Sequence, residues 1–297
     1  MKEGSVMIHT ISNDYLTVKI SSKGGELQSV CTKDGREYLW QGNPDSWNRH
    51  APNLFPMVGR LIDGTYKFQG NEYAMGQHGF LRDNELTVVS EEDSKIVFSF
   101  EDNEETLKMY PFHFTFTLTY TLEGNRLSTS YDVKNNGNDY MYFGLGGHPG
   151  FNVPIDDKLN FEDYYLQFEH GLNPVQTPLT DNFFIAEETV PYTFEEGDRI
   201  NLKHELFDHD AIILSNAGKT VEIKSDSSKH SILFDFDNFE FIAFWHSMGK
   251  TPDFVCIEPW TSHSSFDGEY SDFETKRDLI KLPSRETFNR HWSVAIK

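Results

Sequence analysis

From Phe114 to Leu122 apolar residues hold the even positions and threonine the odd ones, the period of a strand with one buried and one wet face. Glu123, Gly124 and Asn125 then supply a turn. Leu127, Thr129, Tyr131 and Val133 resume the alternation until Asn136 and Gly137 break it, so the two runs read as a hairpin. Similar punctuation recurs at Lys23-Gly24-Gly25, Asp34-Gly35 and Gln69-Gly70-Asn71, each flanked by short runs rich in Val, Ile, Thr and aromatics. Ile232 to Phe236, Phe239 to Trp245 and Asp253 to Ile257 extend the series, whereas helical periodicity is confined to Asn103 to Tyr110 and Leu202 to Phe207. The pattern predicts an all-β chain, a large antiparallel β-sandwich with few short helices. With no internal repeat, low-complexity tract or Pro/Gly/Ser-rich linker, a single domain over residues 1–297 is expected.

Charge narrows the partners. Acidic side chains number 47 against 26 basic ones, and the net charge of -21 repels a phosphate backbone and an anionic lipid surface alike. Nucleic acid and membranes are therefore excluded as expected partners, and a neutral small molecule is favoured. The acidic runs Glu101 to Glu105 and Glu187-Glu188 read as solvated loops or strand ends. Cys31 and Cys256, the two cysteines, both sit in strand-like runs and read as free thiols packed as small hydrophobes. The N-terminus places Glu3, His9, Thr10 and Ser12 where a signal peptide needs an apolar run, and no stretch approaches the length of a membrane span. A cytoplasmic protein is expected, with Met1 to Val6 as an extension if Met7 is the natural start.

Two segments concentrate chemistry. In the first, Gly144, Gly146, Gly147 and Gly150 with Pro149 surround His148, so the backbone turns tightly and approaches a ligand closely. This composition is poor strand material. In the second, an apolar run from Asp253 ends on Glu258, followed by Pro259 and Trp260. Alternation puts Phe254, Cys256 and Glu258 on one face. Burial there would raise the Glu258 pKa, whereas a neighbouring cation or donors would hold it ionised, so its environment can poise it as a general base, and Trp260 offers a flat face for a sugar ring. Each segment taken singly also fits a structural role: a loop histidine bound to backbone, and a strand-end glutamate in water. Three further patches set polar groups in constrained surroundings: Pro56 to Arg60, Gln77 to Arg82, and Phe207 to Ala211. Arg60 and His78 are candidate donors to sugar hydroxyls and Asp210 a candidate acceptor.

The segments around His78, His148 and Glu258 resemble the aldose 1-epimerase (galactose mutarotase-like) family, especially its LacX-like branch. The likeness runs from Asn13 to Val18 through Gly24 to Leu27 and Tyr38 to Trp40 to the Glu258-Pro259-Trp260 motif. The resemblance implies a large β-sandwich with an open sugar cleft, His148 as acid, Glu258 as base, and Arg60, His78 and Asp210 as binding groups. Its expected partner is a small-molecule sugar, handled by a monomer or homodimer.

Mutarotation needs one base and one acid, and no metal or redox cofactor, because the electrons stay within the sugar. For His148 to act as the acid it must be protonated when the sugar binds, a form the surrounding acidic field is expected to favour. The glutamate-proline-tryptophan neighbourhood departs from typical galactose mutarotases, so galactose itself is not implied. Three alternatives remain. A hexose-6-phosphate 1-epimerase would need Arg60 and Arg82 to converge on the phosphate, and a non-catalytic carbohydrate-binding protein would need neither His148 nor Glu258. A metal enzyme with His78, His148 and Glu258 as ligands has little support, since they lie far apart in sequence and no His-X-His pair accompanies them.

Overall fold

The alternation between Phe114 and Leu122 folds as read. In a computed structural model describing residues 6–195 and 197–297, strand Phe114–Glu123 buries every even position from Phe114 to Leu122 and leaves the threonines half-exposed. It turns through Gly124 and Asn125 and pairs in register with Arg126–Asn135. Residues 1–5, most of the N-terminal extension considered above, lie outside the described residues. The helical candidates shrink to α-helix Glu104–Met109, whose Asn103 side chain accepts from the backbone N–H groups of Glu105 and Thr106, and a 3-10 turn at His204–Phe207.

Among the described residues the strands build two large sheets. The nine-stranded sheet runs Arg199–Asn201, Tyr165–Phe168, Thr220–Lys224, Ile232–Asp235, Thr287–Ile296, Arg126–Asn135, Phe114–Glu123, Lys95–Glu101, Thr87–Glu92. The eight-stranded sheet runs Val190–Pro191, Val175–Gln176, Ile212–Ser215, Phe241–Trp245, Phe254–Trp260, Gly146–Gly147, Asn53–Leu54, with Gly150–Asn152 also paired to Phe254–Trp260. The ladders within both are antiparallel. Phe116, Tyr131, Phe234 and Val294 from the first sheet and Val255 and Ile257 from the second share one buried apolar cluster. No helix among the described residues is long and apolar enough to cross a membrane.

Two local readings change. The strand expected to end at Glu258 runs on through Pro259 to Trp260 and is buried along its whole length, because a residue before proline is already held extended. The glycine-rich segment, expected to be poor strand material, lies in the sheet as two short strands flanking His148. Glycine is what admits it: a Cβ on Gly146 would stand 2.7 Å from the Trp260 ring, and one on Gly147 would stand 2.9 Å from the Trp292 indole nitrogen.

Beneath that segment a buried polar bridge joins the sheets. Asn53, fully enclosed, accepts from the Tyr131 hydroxyl at 2.8 Å and donates to the carbonyls of Gly24 and Gly25 at 3.0 and 3.1 Å. Trp292 donates in turn to the Tyr131 oxygen at 2.9 Å. Removing one member strands the others away from water. Asn53→Ala is expected to destabilise the fold by about 2–4 kcal/mol in denaturant titration, and a loss below about 1 kcal/mol would show that the bridge is not structural.

Candidate active site

His148 lies between two strand pairings that together fix its partner. Gly146 pairs with Trp260 and Gly150 with Cys256, so antiparallel register sets His148 across from Glu258, midway along the same strand. Side chains on one face of neighbouring strands approach closely, and His148 Nε2 stands 3.1 Å from Glu258 Oε2. The His148 N–H donates to the Pro52 carbonyl at 3.0 Å. Trp47 stacks on the imidazole at 4.9 Å and 27°, while Trp245 meets it edge-on at 5.5 Å. The ring is therefore held by aromatic faces rather than by a hydrogen bond to its second nitrogen: Nδ1 is buried without a partner.

The two groups form the floor of a cleft of about 330 Å³. Every residue singled out from the sequence lines it: Arg60, His78, Arg82, His148, Asp210, Glu258 and Trp260. Sequence reasoning missed Trp47, Trp245, Phe183 and Ser264, which complete the walls. A signal for two of them existed. The chain has only five tryptophans, and three of them, Trp47, Trp245 and Trp260, face this cleft.

Backbone strain collects here as well. His78, Phe183 and Asp210 all adopt positive φ, at 64°, 61° and 73°, a region uncommon for non-glycine residues. His78 is held there by its neighbour across the loop: Gly59 N–H donates to His78 Nδ1 at 3.1 Å, and His78 N–H donates back to the Gly59 carbonyl at 2.7 Å. A backbone N–H only donates, so the neutral ring carries its proton on Nε2 and acts as a donor. Gly59 itself has φ of 71°, and a Cβ there would stand 2.1 Å from Ser264 Oγ. That hydroxyl accepts from the Arg60 N–H at 3.0 Å.

A buried ion cluster steadies the loop carrying Ser264. Asp278 accepts from the His263 backbone N–H at 2.7 Å and pairs with the side chains of His263 and Lys276, while Lys276 Nζ donates to the His263 carbonyl at 2.9 Å. Burial lowers the Lys276 pKa against the pull of Asp278, and Lys276 and His263 hold the Asp278 carboxyl far below its usual range despite its burial.

The electrostatics of the floor overturn one expectation. His148 was expected to be kept charged by an acidic field, but burial instead pushes its pKa down to about 3, with Arg82 and Arg49 adding to the fall. Burial likewise drives Glu258 well above the ordinary carboxyl range, reinforced by Asp210. Burial also drives His78 well below its usual value, followed by His148 and three arginines. Asp210 is raised by burial and partly restored by Arg60, whose guanidinium is 3.8 Å away. Both floor groups thus favour their neutral forms. They stand 3.1 Å apart as a carboxyl and an imidazole facing a cleft.

The ligand set considered for a metal also changes. His78 is outside the one buried group of suitable donors found among the described residues, which is His148, Cys256 and Glu258.

Comparison with known proteins fits this geometry. The aldose 1-epimerase family profile matches residues 7–276. The chromosomal LacX protein of Lactococcus lactis subsp. lactis is 33% identical over 296 residues, covering 96% of this chain and 98% of its own. The structure of a galactose mutarotase related enzyme from Lactobacillus acidophilus superposes with a TM-score of 0.92 at 36% identity, covering 98% of this chain and 97% of the other. That of a galactose mutarotase-like protein from Lactobacillus casei ATCC 334 gives 0.91 at 34% identity, covering 98% and 100%. The cleft, its sandwich scaffold and these relatives lead to one conclusion: the chain belongs to the aldose 1-epimerase family and is an isomerase.

Proposed function

We propose that the protein interconverts the α and β anomers of an unphosphorylated aldohexose, with His148 as acid and Glu258 as base. One observation carries the reading: register sets these two groups 3.1 Å apart on the floor of an open cleft. Glu258 takes the proton of the C1 hydroxyl while His148 protonates the ring oxygen. The bond from C1 to the ring oxygen breaks, the open-chain aldehyde rotates about C1 to C2, and the reverse transfers close the ring on the other face. Each proton transfer contributes roughly 10²- to 10⁴-fold. The couple carries one proton throughout: burial keeps it on Glu258 at rest, it passes to His148 for attack on the closed ring, and it is back on Glu258 once the ring is open. Burial favours the neutral pair, so charging it is an uphill step and the transfer that opens the ring returns the couple to its favoured state.

Further features support a sugar. Glu258 Oε2, Trp260 Nε1 and Arg82 Nε are buried without hydrogen-bond partners, and hydroxyls that both donate and accept suit such a mixed set. His78 Nε2 and Arg60 add donors, and Asp210 an acceptor. Arg60 already faces Asp210, and Arg82 donates to the Gln77 carbonyl at 2.8 Å, which favours a neutral sugar over a hexose 6-phosphate. A purely binding role gives no reason to hold a carboxyl in a desolvated floor. The reading includes a single sandwich unit working in the cytoplasm.

Glu258→Gln is expected to bring anomer exchange, followed by NMR on α-glucose, α-galactose and α-xylose, down to the solvent rate with the fold intact; exchange at the parent rate would refute the assignment. The pH dependence is distinctive. As pH falls, the couple takes a second proton only near the His148 value of about 3. kcat/KM in chelator-treated buffer should therefore show no acid limb near the ordinary histidine value of about 6.5, and such a limb would contradict the buried neutral pair.

A further inference from the structure

The mechanism above leaves Cys256 unused, although the alternation of its strand aims it at the same face as Glu258. Val255 and Ile257 enter the apolar core, whereas Phe254, Cys256, Glu258 and Trp260 share the opposite side. Cys256 is fully buried behind the cleft floor, paired across to Gly150 on one side and Trp245 on the other. One donor atom each from His148, Cys256 and Glu258 lie within 4.8 Å of one another. A tetrahedral zinc with bonds of about 2.0–2.3 Å needs its donors roughly 3.3–3.8 Å apart. The three side chains are thus within about 1 Å of a ligating arrangement.

We propose that this face of the cleft binds a thiophilic divalent cation of the zinc class through His148 Nε2, Cys256 Sγ and Glu258 Oε2, and that occupancy blocks the sugar site. One nitrogen, one sulfur and one oxygen suit zinc, cobalt or copper and are too few oxygens for magnesium or calcium. Charge closes as well. A thiolate and a carboxylate offset the two positive charges and a neutral imidazole adds none, so the buried centre is uncharged. The two displaced protons pass to solvent through the cleft. His148 Nδ1 makes no hydrogen bond, so it can carry the ring proton and leave the Nε2 lone pair, which faces Glu258 Oε2 at 3.1 Å, to the ion that both would ligate. The cleft side of the ion remains for a water or a sugar hydroxyl.

Binding stands on this geometry alone, while its effect on turnover rests on the acid-base reading above, and the two are separated by using cobalt as a spectroscopic probe. Cobalt(II) added to the chelator-treated full chain is expected to give sulfur-to-cobalt charge-transfer absorption and the intense visible bands of a four-coordinate ion, both removed by one equivalent of zinc. Cys256→Ser should abolish the charge-transfer band, Cys31→Ser should keep it, and Glu258→Gln should weaken cobalt affinity by at least roughly 10- to 100-fold. Zinc should slow anomer exchange of the parent chain, and Cys256→Ser should lose most of that sensitivity relative to its own untreated rate. Should Cys256→Ser not fold, the Glu258→Gln and Cys31→Ser titrations decide. No charge-transfer band in the parent, the same band in Cys256→Ser, or unchanged affinity in Glu258→Gln overturns the site. A cobalt band without any effect of zinc on exchange overturns the blocking, and loss of exchange activity in the metal-free parent overturns the function while leaving the site standing.

Discussion

The antiparallel register of three short strand segments is the constraint on which the site depends. Gly146–Gly147 and Gly150–Asn152 both pair with Phe254–Trp260, and the residue between them is thereby held opposite Glu258. A slip of one residue would turn the partner side chains to opposite faces and separate the couple. The register is itself protected by close packing that only glycine allows: Gly146 against Trp260, Gly147 against Trp292 and Tyr131, and Gly150 against Trp47. Bulk at any of these positions would force the segment off its partner strand. The Asn53 bridge lies directly below, so the seam between the two sheets and the seat of His148 are one structure.

Desolvation gives this arrangement its chemistry. A glutamate and a histidine 3.1 Å apart in water would form an ordinary ion pair, whereas burial here pushes the carboxyl up and the imidazole down, so that both favour their neutral forms. The contrast with Asp278 is instructive. That carboxylate is also buried, but Lys276 and His263 surround it and keep it ionised. Glu258 has a neutral imidazole and the acidic Asp210 for neighbours instead. Two buried carboxyls thus take opposite states, one a fixed structural charge and the other held neutral, and the difference lies in which charges are packed beside them.

Much of the sandwich was legible because many of its strands have one wet face. The hairpin Phe114 to Asn135 announces itself through threonine on every second position. Phe254–Trp260 is buried on both faces, so alternation fades and the pattern places its end two residues early. The glycine segment hid as a loop because glycine carries no pattern, and its strand character comes from what it packs against. All seven residues chosen for the cleft reached it, since their motifs combine constrained backbone with polar side chains. Trp47, Trp245 and Phe183 did not stand out, because their roles arise from long-range packing rather than local spacing. The protonation of His148 is not legible for a related reason: a sequence shows the number of charges and not their distance or burial.

If register makes His148 and Glu258 one proton-exchanging unit, their losses cannot be independent. The decisive measurement is a double-mutant cycle on anomer exchange with His148→Ala, Glu258→Gln and the double variant, each confirmed folded by its thermal transition. Coupling through a shared proton predicts that the double variant is no slower than the slower single one. Losses that multiply across the two substitutions would contradict it, and would mean that the two side chains contribute separately.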